Sequence, residues 1–209
     1  MGLFSRRRPT DAAPVPVLVD PVAGTARVGA DAVPLYPLVM DDRAAASLRS
    51  RSTASDGPLL TAHDSGLTVA YVLEREAAWE YVTAATAERL GLTEAAVTAE
   101  SLAWLARLTP VASGGDGRFR LEMPEGSEDL AASLILRADV VHALVDEFVA
   151  GDPVVAIGQR VAMHLCGTDD TEAVEGLREL ARGLYESGDA APVSTALYRL
   201  GADGSARPW

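Results

Sequence analysis

Residues 153–166, with the sequence PVVAIGQRVAMHLC, contain the clearest signal of the fold. Residues 154–157 and 161–166 are short apolar runs, and such runs favour β-strands when turn residues bound them. Gly158, Gln159 and Arg160 lie between the two runs and have the length of a tight hairpin loop. This stretch therefore predicts two antiparallel strands at the centre of the structure.

Neighbouring segments predict further strands. Residues 118–123 alternate, with Phe119, Leu121 and Met123 on one face and charged side chains on the other. This alternation is typical of an antiparallel strand that is covered on one side only. The apolar runs at 67–73, 131–136 and 197–200 also predict strands.

Capping residues and apolar spacing predict the helices. A helix is expected around 43–48, and Thr83 and Thr93 are each expected to cap a short helix. Asp139 is predicted to cap a helix through Ala150 that turns Val141, Leu144, Val145 and Phe148 inward. Asp169 and Glu172 form a capping-box pattern, and the helix that they begin is expected to end at Gly188.

The order of these elements predicts an α+β fold with a mostly antiparallel sheet and helices packed on one face. Strand, strand, helix, hairpin and helix do not alternate as in a doubly wound fold. We expect a disordered basic tail at 1–14 and an N-terminal extended segment with a mobile loop at 15–64. The main domain is expected at 65–202, followed by a loose tail at 203–209.

Composition limits the partners and the compartment. The net charge is −12, and all 18 basic residues are arginine. Such an acidic chain repels phosphate backbones, which excludes nucleic acid and favours a protein with a basic surface as partner. The one cysteine, Cys166, cannot form an internal disulfide. No apolar run reaches the ~20 residues that span a bilayer, so the sequence predicts a cytoplasmic protein without integral membrane association.

Several segments match the pattern of a known family. The segments are 69–74, 81–83, 90–94, 132–136 with the predicted helix to Phe148, 153–157 and 192–199. With them, residues 65–202 resemble the YtpQ-like family of bacterial proteins, which is described only as a domain of unknown function. The resemblance implies a bacterial cytosolic protein and supplies no catalytic residues.

The sequence lacks the motifs of the common catalytic chemistries. Without lysine, neither a Walker phosphate loop nor Schiff-base chemistry is available to this chain. There is no G-x-G-x-x-G after a strand, no G-x-S-x-G and no H-E-x-x-H. No cofactor is therefore predicted.

Three histidine pairings are the remaining candidates for chemistry. His164 and Cys166 alternate on one strand and share a face, which suits half a metal site or a thiol–imidazole pair. The alternative, which we favour, is core packing, because free cysteine is usually buried. His142 with Asp146 is favoured as a solvated helix face, and His63 with Asp64 lacks a companion at metal-ligand spacing.

The function that these observations favour is a non-enzymatic protein-interaction module of the adaptor, chaperone-like or immunity type. The alternative is a small metal- or thiol-dependent hydrolase that uses His164, Cys166 or His142. If there is a binding site, we expect it at charged residues beside strand ends, because strand ends and loops carry function more often than strand centres. These residues are Glu74, Arg137 and Arg160.

Overall fold

Two antiparallel sheets form the framework of the protein. The computed structural model describes residues 33–52, 56–75, 78–188 and 191–209. The predicted disordered tail at 1–14 lies outside these residues, as do residues 15–32 and 53–55 of the predicted extended segment with its loop.

The smaller sheet is built around a central strand. Its strands are β1 (Leu35–Met40), β2 (Leu60–Ala62), β3 (Thr68–Glu74) and β4 (Trp79–Tyr81). β3 pairs antiparallel with β1 along one side and with β2 and β4 along the other. All of β1 and the first six residues of β3 are buried, so the predicted strand at 67–73 is confirmed as an interior strand.

Three short helices accompany this sheet, and the threonine caps of the second and third agree with the prediction. They are α1 (Asp42–Ser50), α2 (Ala84–Arg89) and α3 (Glu94–Leu105). The Thr83 hydroxyl accepts the Thr86 backbone N–H at 3.1 Å, and the Thr93 hydroxyl accepts that of Ala96 at 3.2 Å. Each threonine satisfies one of the free N–H groups at the start of its helix.

The larger sheet has six strands in the order β10-β9-β7-β8-β6-β5. They are β5 (Val111–Gly115), β6 (Arg118–Glu122), β7 (Pro153–Ala156), β8 (Met163–Gly167), β9 (Leu197–Leu200) and β10 (Ala206–Pro208). β7 and β8 pair antiparallel from Pro153 with Gly167 to Ala156 with His164. The antiparallel pairing and its central place in the sheet are confirmed, but the loop between the strands runs over residues 157–162 and is longer than the predicted tight turn at 158–160.

The α+β class is also confirmed, but helices cover both faces of the larger sheet. Val154, Ala156 and Cys166 pack with the helix α5 (Thr171–Ser187) in one apolar cluster. The alternate residues Val155 and Leu165 belong to the main core, which lies on the opposite face. Adjacent residues of β7 are buried, so this strand lacks the apolar-polar alternation of a half-covered sheet.

A 3₁₀ helix, Glu128–Arg137, stands where the sequence predicts a strand at 131–136. Residues 130–135 are all buried. A short run that is apolar on every side has no period that distinguishes a buried strand from a buried helix. The prediction of a strand here is therefore wrong.

The next helix, α4 (Ala138–Val145), begins and ends earlier than predicted. Its N-cap is Arg137, which makes no side-chain capping bond, so the predicted cap at Asp139 is wrong. Because the helix ends at Val145, Phe148 does not continue its buried face and is 51% exposed. In α5 the cap is Asp170, one residue later than predicted, and Gly188 ends the helix with φ 69° as expected.

One main core joins the two sheets, which corrects the predicted domain boundaries. Leu35 and Val39 of β1 share this core with Leu165 and Tyr198 of the larger sheet. The described residues before 65, from Val33 onward, are therefore part of the main folded unit. The predicted loose tail at 203–209 is also wrong, because β10 pairs with β9 and Ala206 is buried.

The helices in the described part of the chain are too short or too polar to cross a bilayer.

Candidate functional site

The three predicted binding residues lie in different places. Arg160 lies in the loop between β7 and β8 and lines a cleft beside the smaller sheet. Glu74 ends β3, and its backbone N–H donates to the Pro34 carbonyl at 2.9 Å. Arg137 precedes α4, and its Nε lies 3.4 Å from Oδ1 of Asp139. Glu74 and Arg137 are not in the wall of the cleft, so the structure does not join the three into one site.

The cleft that Arg160 lines, called here the Arg160 cleft, has a volume of about 420 Å³. One wall is a face of the smaller sheet and the other is formed by the start of the 3₁₀ helix and by Arg160. Its lining residues are Leu38, Val72, Trp79, Tyr81, Gly126, Glu128, Asp129 and Arg160. Cavities of this size hold small molecules in many proteins.

Arg160 is held by its backbone while its side chain has few partners. Its N–H donates to the Ala191 carbonyl at 3.1 Å, and its carbonyl accepts the Ala132 N–H at 2.9 Å. The Arg160 Nε is buried without a hydrogen-bond partner. None of the ion pairs among the described residues includes this guanidinium. Buried donors in proteins are nearly always bonded, so this side chain is an exception that requires an explanation.

Aromatic side chains continue from the cleft toward Glu74. The Tyr36 ring lies 6.5 Å from that of Trp79 and 6.3 Å from that of Trp104, and the Arg107 guanidinium lies 4.1 Å from the centre of the Trp104 ring. Burial, with the nearby Glu74 carboxylate, raises the pKa of Tyr36. Both tryptophans pack against the main core, so they are structural as well as available at the surface.

A second candidate surface lies at β5, which forms one end of the larger sheet. Asp116 and Gly117, with φ of 53° and 76°, make a two-residue turn between β5 and β6. An Asp-Gly pair suits the type I′ turn that joins antiparallel strands most tightly. This hairpin was not predicted from the sequence, although the Asp-Gly pair directly before the alternating residues 118–123 is its signal.

An apolar groove accompanies this edge. Ala112, Ser113, Gly114, Phe119, Leu144, Val145 and Phe148 line a cavity of about 60 Å³. The Phe119 and Phe148 rings meet edge to face with centres 6.2 Å apart. Val111 is 55% exposed and Phe148 is 51% exposed. We call β5 with this groove the β5 edge.

The charges around the β5 edge are acidic and unpaired. Asp116 in the turn is exposed, as are Asp146 and Glu147 directly before Phe148. None of the three belongs to an ion pair within the described residues. Arg118, which follows Asp116 by two residues in the sequence, is paired with Glu172 of α5 at 3.7 Å. The charges at the β5 edge that no ion pair neutralises within the described residues are therefore negative.

The thiol candidate has an unreactive setting. Cys166 is 1% exposed beneath α5. Burial, followed by the Asp170 carboxylate, raises its pKa to about 11. A thiolate nucleophile needs a lowered pKa and access to solvent, and Cys166 has neither. His164 shares its face of β8, and burial, with Arg120, lowers the pKa of this histidine.

The other histidines have local roles. The His63 Nδ1 lies 2.8 Å from the Ser65 hydroxyl, and burial lowers its pKa. His142 is partly buried in α4, and its carbonyl accepts the Asp146 N–H in the helix backbone at 2.9 Å. Within residues 33–52, 56–75, 78–188 and 191–209, no three His, Cys, Asp or Glu side chains are grouped to hold a metal ion.

Comparison of this chain with protein-family models, with curated proteins and with solved structures finds no match. Membership of the YtpQ-like family therefore stays a prediction from the sequence.

Proposed function

We propose that this chain is a non-enzymatic protein-interaction module that binds an extended segment of another protein by adding it as a strand to β5. The observation that carries the proposal is the unprotected β5 edge. Among the described strands β5 pairs only with β6, and its residues, Val111–Gly115, include no charge and no proline. Such an edge is a template for strand addition.

The register identifies the backbone groups that a partner would use. Gly115 and Arg118 flank the two-residue turn, which makes them a hydrogen-bonded pair. Pairs alternate along an antiparallel ladder, so the N–H groups of Val111 and Ser113 also point toward β6. Those of Ala112 and Gly114 point away from the sheet and are the donors offered to a new strand.

The surroundings of β5 specify the chemistry of the partner. An apolar side chain of the added strand fits the groove beside Phe119 and Phe148. Asp116, Asp146 and Glu147 favour arginine or lysine at neighbouring positions. The partner is therefore an extended segment that alternates apolar and basic residues, and the bacterial cytoplasm is the proposed setting.

The competing hydrolase has less support. Its thiol arm needs Cys166 as a nucleophile, yet a thiol with a pKa of about 11 is almost entirely protonated at neutral pH. The non-enzymatic function uses surfaces that are exposed as they stand.

The proposal is tested with a synthetic ten-residue peptide that alternates valine and arginine, titrated into the full chain and followed by calorimetry and amide NMR. We expect binding, with slower hydrogen exchange at the amides of Ala112 and Gly114. The control peptide replaces each arginine with glutamate and should bind at least about tenfold more weakly, because charge steers and selects partners.

Two variants of the chain sharpen this test. Ala112→Pro removes an N–H that points away from the sheet and leaves the β5–β6 hydrogen bonds in place. Val111→Lys puts a charge on the edge strand. Each variant should weaken peptide binding at least about tenfold. Arg207→Ala at the opposite edge is the control and should bind normally. Equal binding by all variants would overturn the proposal. A dimer that Ala112→Pro abolishes would also overturn it, because the occupant would then be a second copy of the chain.

A further inference from the structure

The Arg160 cleft holds charges of both signs that do not neutralise each other. Arg160 lies on its wall together with Glu128 and Asp129, yet no ion pair joins this arginine to either carboxylate. Arg160 and the two carboxylates all line the cavity of about 420 Å³. A ligand that carries both charges can therefore contact the cationic and the anionic side chains from within it.

Arg160 supplies the anion-binding group. A guanidinium has five N–H donors in a planar fork and binds carboxylates through two parallel hydrogen bonds. The Arg160 Nε has no partner among the described residues, and the backbone of Arg160 is fixed at both its N–H and its carbonyl. The backbone of Arg160 is therefore fixed by the fold, and no ion pair among the described residues occupies its guanidinium.

Asp129 supplies the cation-binding group. It is an exposed residue in the first turn of the 3₁₀ helix and belongs to none of the ion pairs in the described chain. Its neighbour Glu128 is partly used, because its Oε2 accepts the Gly126 N–H at 2.9 Å. An ammonium group between these side chains gains two carboxylates and displaces neither from a cation.

The rest of the wall is aromatic and apolar. Trp79 and Tyr81 are partly buried, and both pack against the main core, which holds their rings in place. Leu38 and Val72 lie behind them. Partly buried aromatic rings favour flat apolar groups and also attract a nearby ammonium.

We propose that the Arg160 cleft binds a free α-amino acid with an aromatic or large apolar side chain. Its carboxylate bonds to Arg160, its ammonium lies near Asp129 and Glu128, and its side chain packs on Trp79 and Tyr81. A peptide is a poorer fit, because its terminal ammonium and carboxylate are on different residues. This small-molecule site is separate from the β5 edge and does not depend on the interaction proposed there.

The test titrates L-phenylalanine into the full wild-type chain and follows the Trp79 indole and Gly126 amide signals by NMR. L-phenylalanine amide lacks the carboxylate, and N-acetyl-L-phenylalanine lacks the ammonium. We expect saturable shifts with L-phenylalanine and affinities at least about tenfold lower for each derivative, since each has lost a charge-assisted hydrogen bond.

Variants assign the two charges. Arg160→Gln should bind L-phenylalanine no more tightly than the wild type binds the amide, and should bind both ligands equally. Asp129→Asn should likewise remove the preference for L-phenylalanine over its N-acetyl derivative. Arg137→Gln is the control, because Arg137 pairs with Asp139 outside the cleft and the variant should bind normally.

The wild-type ligand series decides the matter even if a variant does not fold. No shift with L-phenylalanine at saturating concentration overturns the proposal, and so does an amide that binds as tightly as the amino acid. Tighter binding of N-acetyl-L-phenylalanine would assign the cleft to a peptide carboxyl terminus and would also overturn it. Failure of peptide binding at β5 has no bearing on any of these outcomes.

Discussion

The two edges of the larger sheet differ in how they meet solvent. β10 has three residues, two of which are Arg207 and Pro208. β5 has five residues, Val111–Gly115, without a charge or a proline. A short strand with a charge and a proline resists pairing with another chain, whereas a longer uncharged strand permits it.

Further contacts hold the residues beside β10 in place. The Trp209 N–H donates to the Leu197 carbonyl at 2.9 Å, which extends the pairing with β9. The Arg199 guanidinium lies 5.8 Å from the centre of the Trp209 ring and also pairs with Asp152. At β5, by contrast, Val111 is 55% exposed and Phe148 in the groove beside it is 51% exposed.

The β10 edge therefore carries residues that oppose pairing with another chain, and the β5 edge does not. β10 carries an arginine and a proline, which oppose edge-to-edge aggregation. β5 has an apolar groove beside it instead. Because both edges belong to one sheet, general solubility does not account for the difference. A binding role for β5 does account for it, and three predictions test the comparison.

The largest expected effect is at Gly114, which shapes β5. Its φ is +132°, and a Cβ there would lie within 3 Å of both the Arg118 carbonyl oxygen and the Phe119 Cα. We expect Gly114→Ala to lower the free energy of unfolding by about 2 to 3 kcal/mol, measured by urea denaturation.

Gly115→Ala is the matched control for that change. A Cβ at Gly115 meets nothing within 4 Å, so the loss should stay below about 1 kcal/mol. Equal losses at both glycines would contradict the idea that β5 depends on the unusual backbone at Gly114.

The second effect concerns β10. Replacing its protecting residues by Arg207→Val together with Pro208→Val should make this edge resemble β5. We expect self-association about tenfold stronger than in the wild type, or about 1.4 kcal/mol, measured by analytical ultracentrifugation. If the double variant stays as monomeric as the wild type, the sequence of β10 is not what protects that edge.

The smallest effect is the pH dependence from His164, whose β8 strand holds β6 and so β5 in the sheet. Burial lowers the pKa of His164 in the folded protein. As the pH falls below about 6.5, the unfolded chain takes up this proton first, and the free energy of unfolding therefore decreases.

His164→Gln removes this titration and should make the decrease between pH 7 and pH 5 shallower, by less than about tenfold in the unfolding equilibrium constant. Urea denaturation at each pH measures it. His63→Gln is a useful second variant, because burial also lowers the pKa of His63. A stability curve that His164→Gln leaves unchanged would contradict the assignment.

The sequence predicted the elements whose signals are local. Alternation of apolar and charged residues located β6, and threonine side chains located the starts of α2 and α3. The same reasoning failed at the 3₁₀ helix, because every residue of 130–135 is buried and no period remains to be read. Phe148 was expected inside because the sequence does not mark the end of α4 at Val145.

The candidate surfaces were only partly foreseen. Arg160 was named because it follows a strand, but its place in one cleft with Trp79 and Glu128 depends on how the β7–β8 loop meets the smaller sheet. Val111–Gly115 carries almost no side-chain signal, since it contains two glycines and an alanine. Its position at the end of the sheet follows from pairings with β6 and β8, which no local pattern encodes.

By itself, the sequence determined the acidic charge, the single thiol, the central hairpin and the α+β class, because these depend on composition and on residues close together in the chain. Three features became visible only in three dimensions: two sheets share one core, β5 pairs with β6 alone among the described strands, and Arg160 lines one cleft with two carboxylates. The difference is one of distance along the chain. Propensity and capping act over a few residues, whereas strand order and clefts arise from packing between segments that are far apart in the sequence.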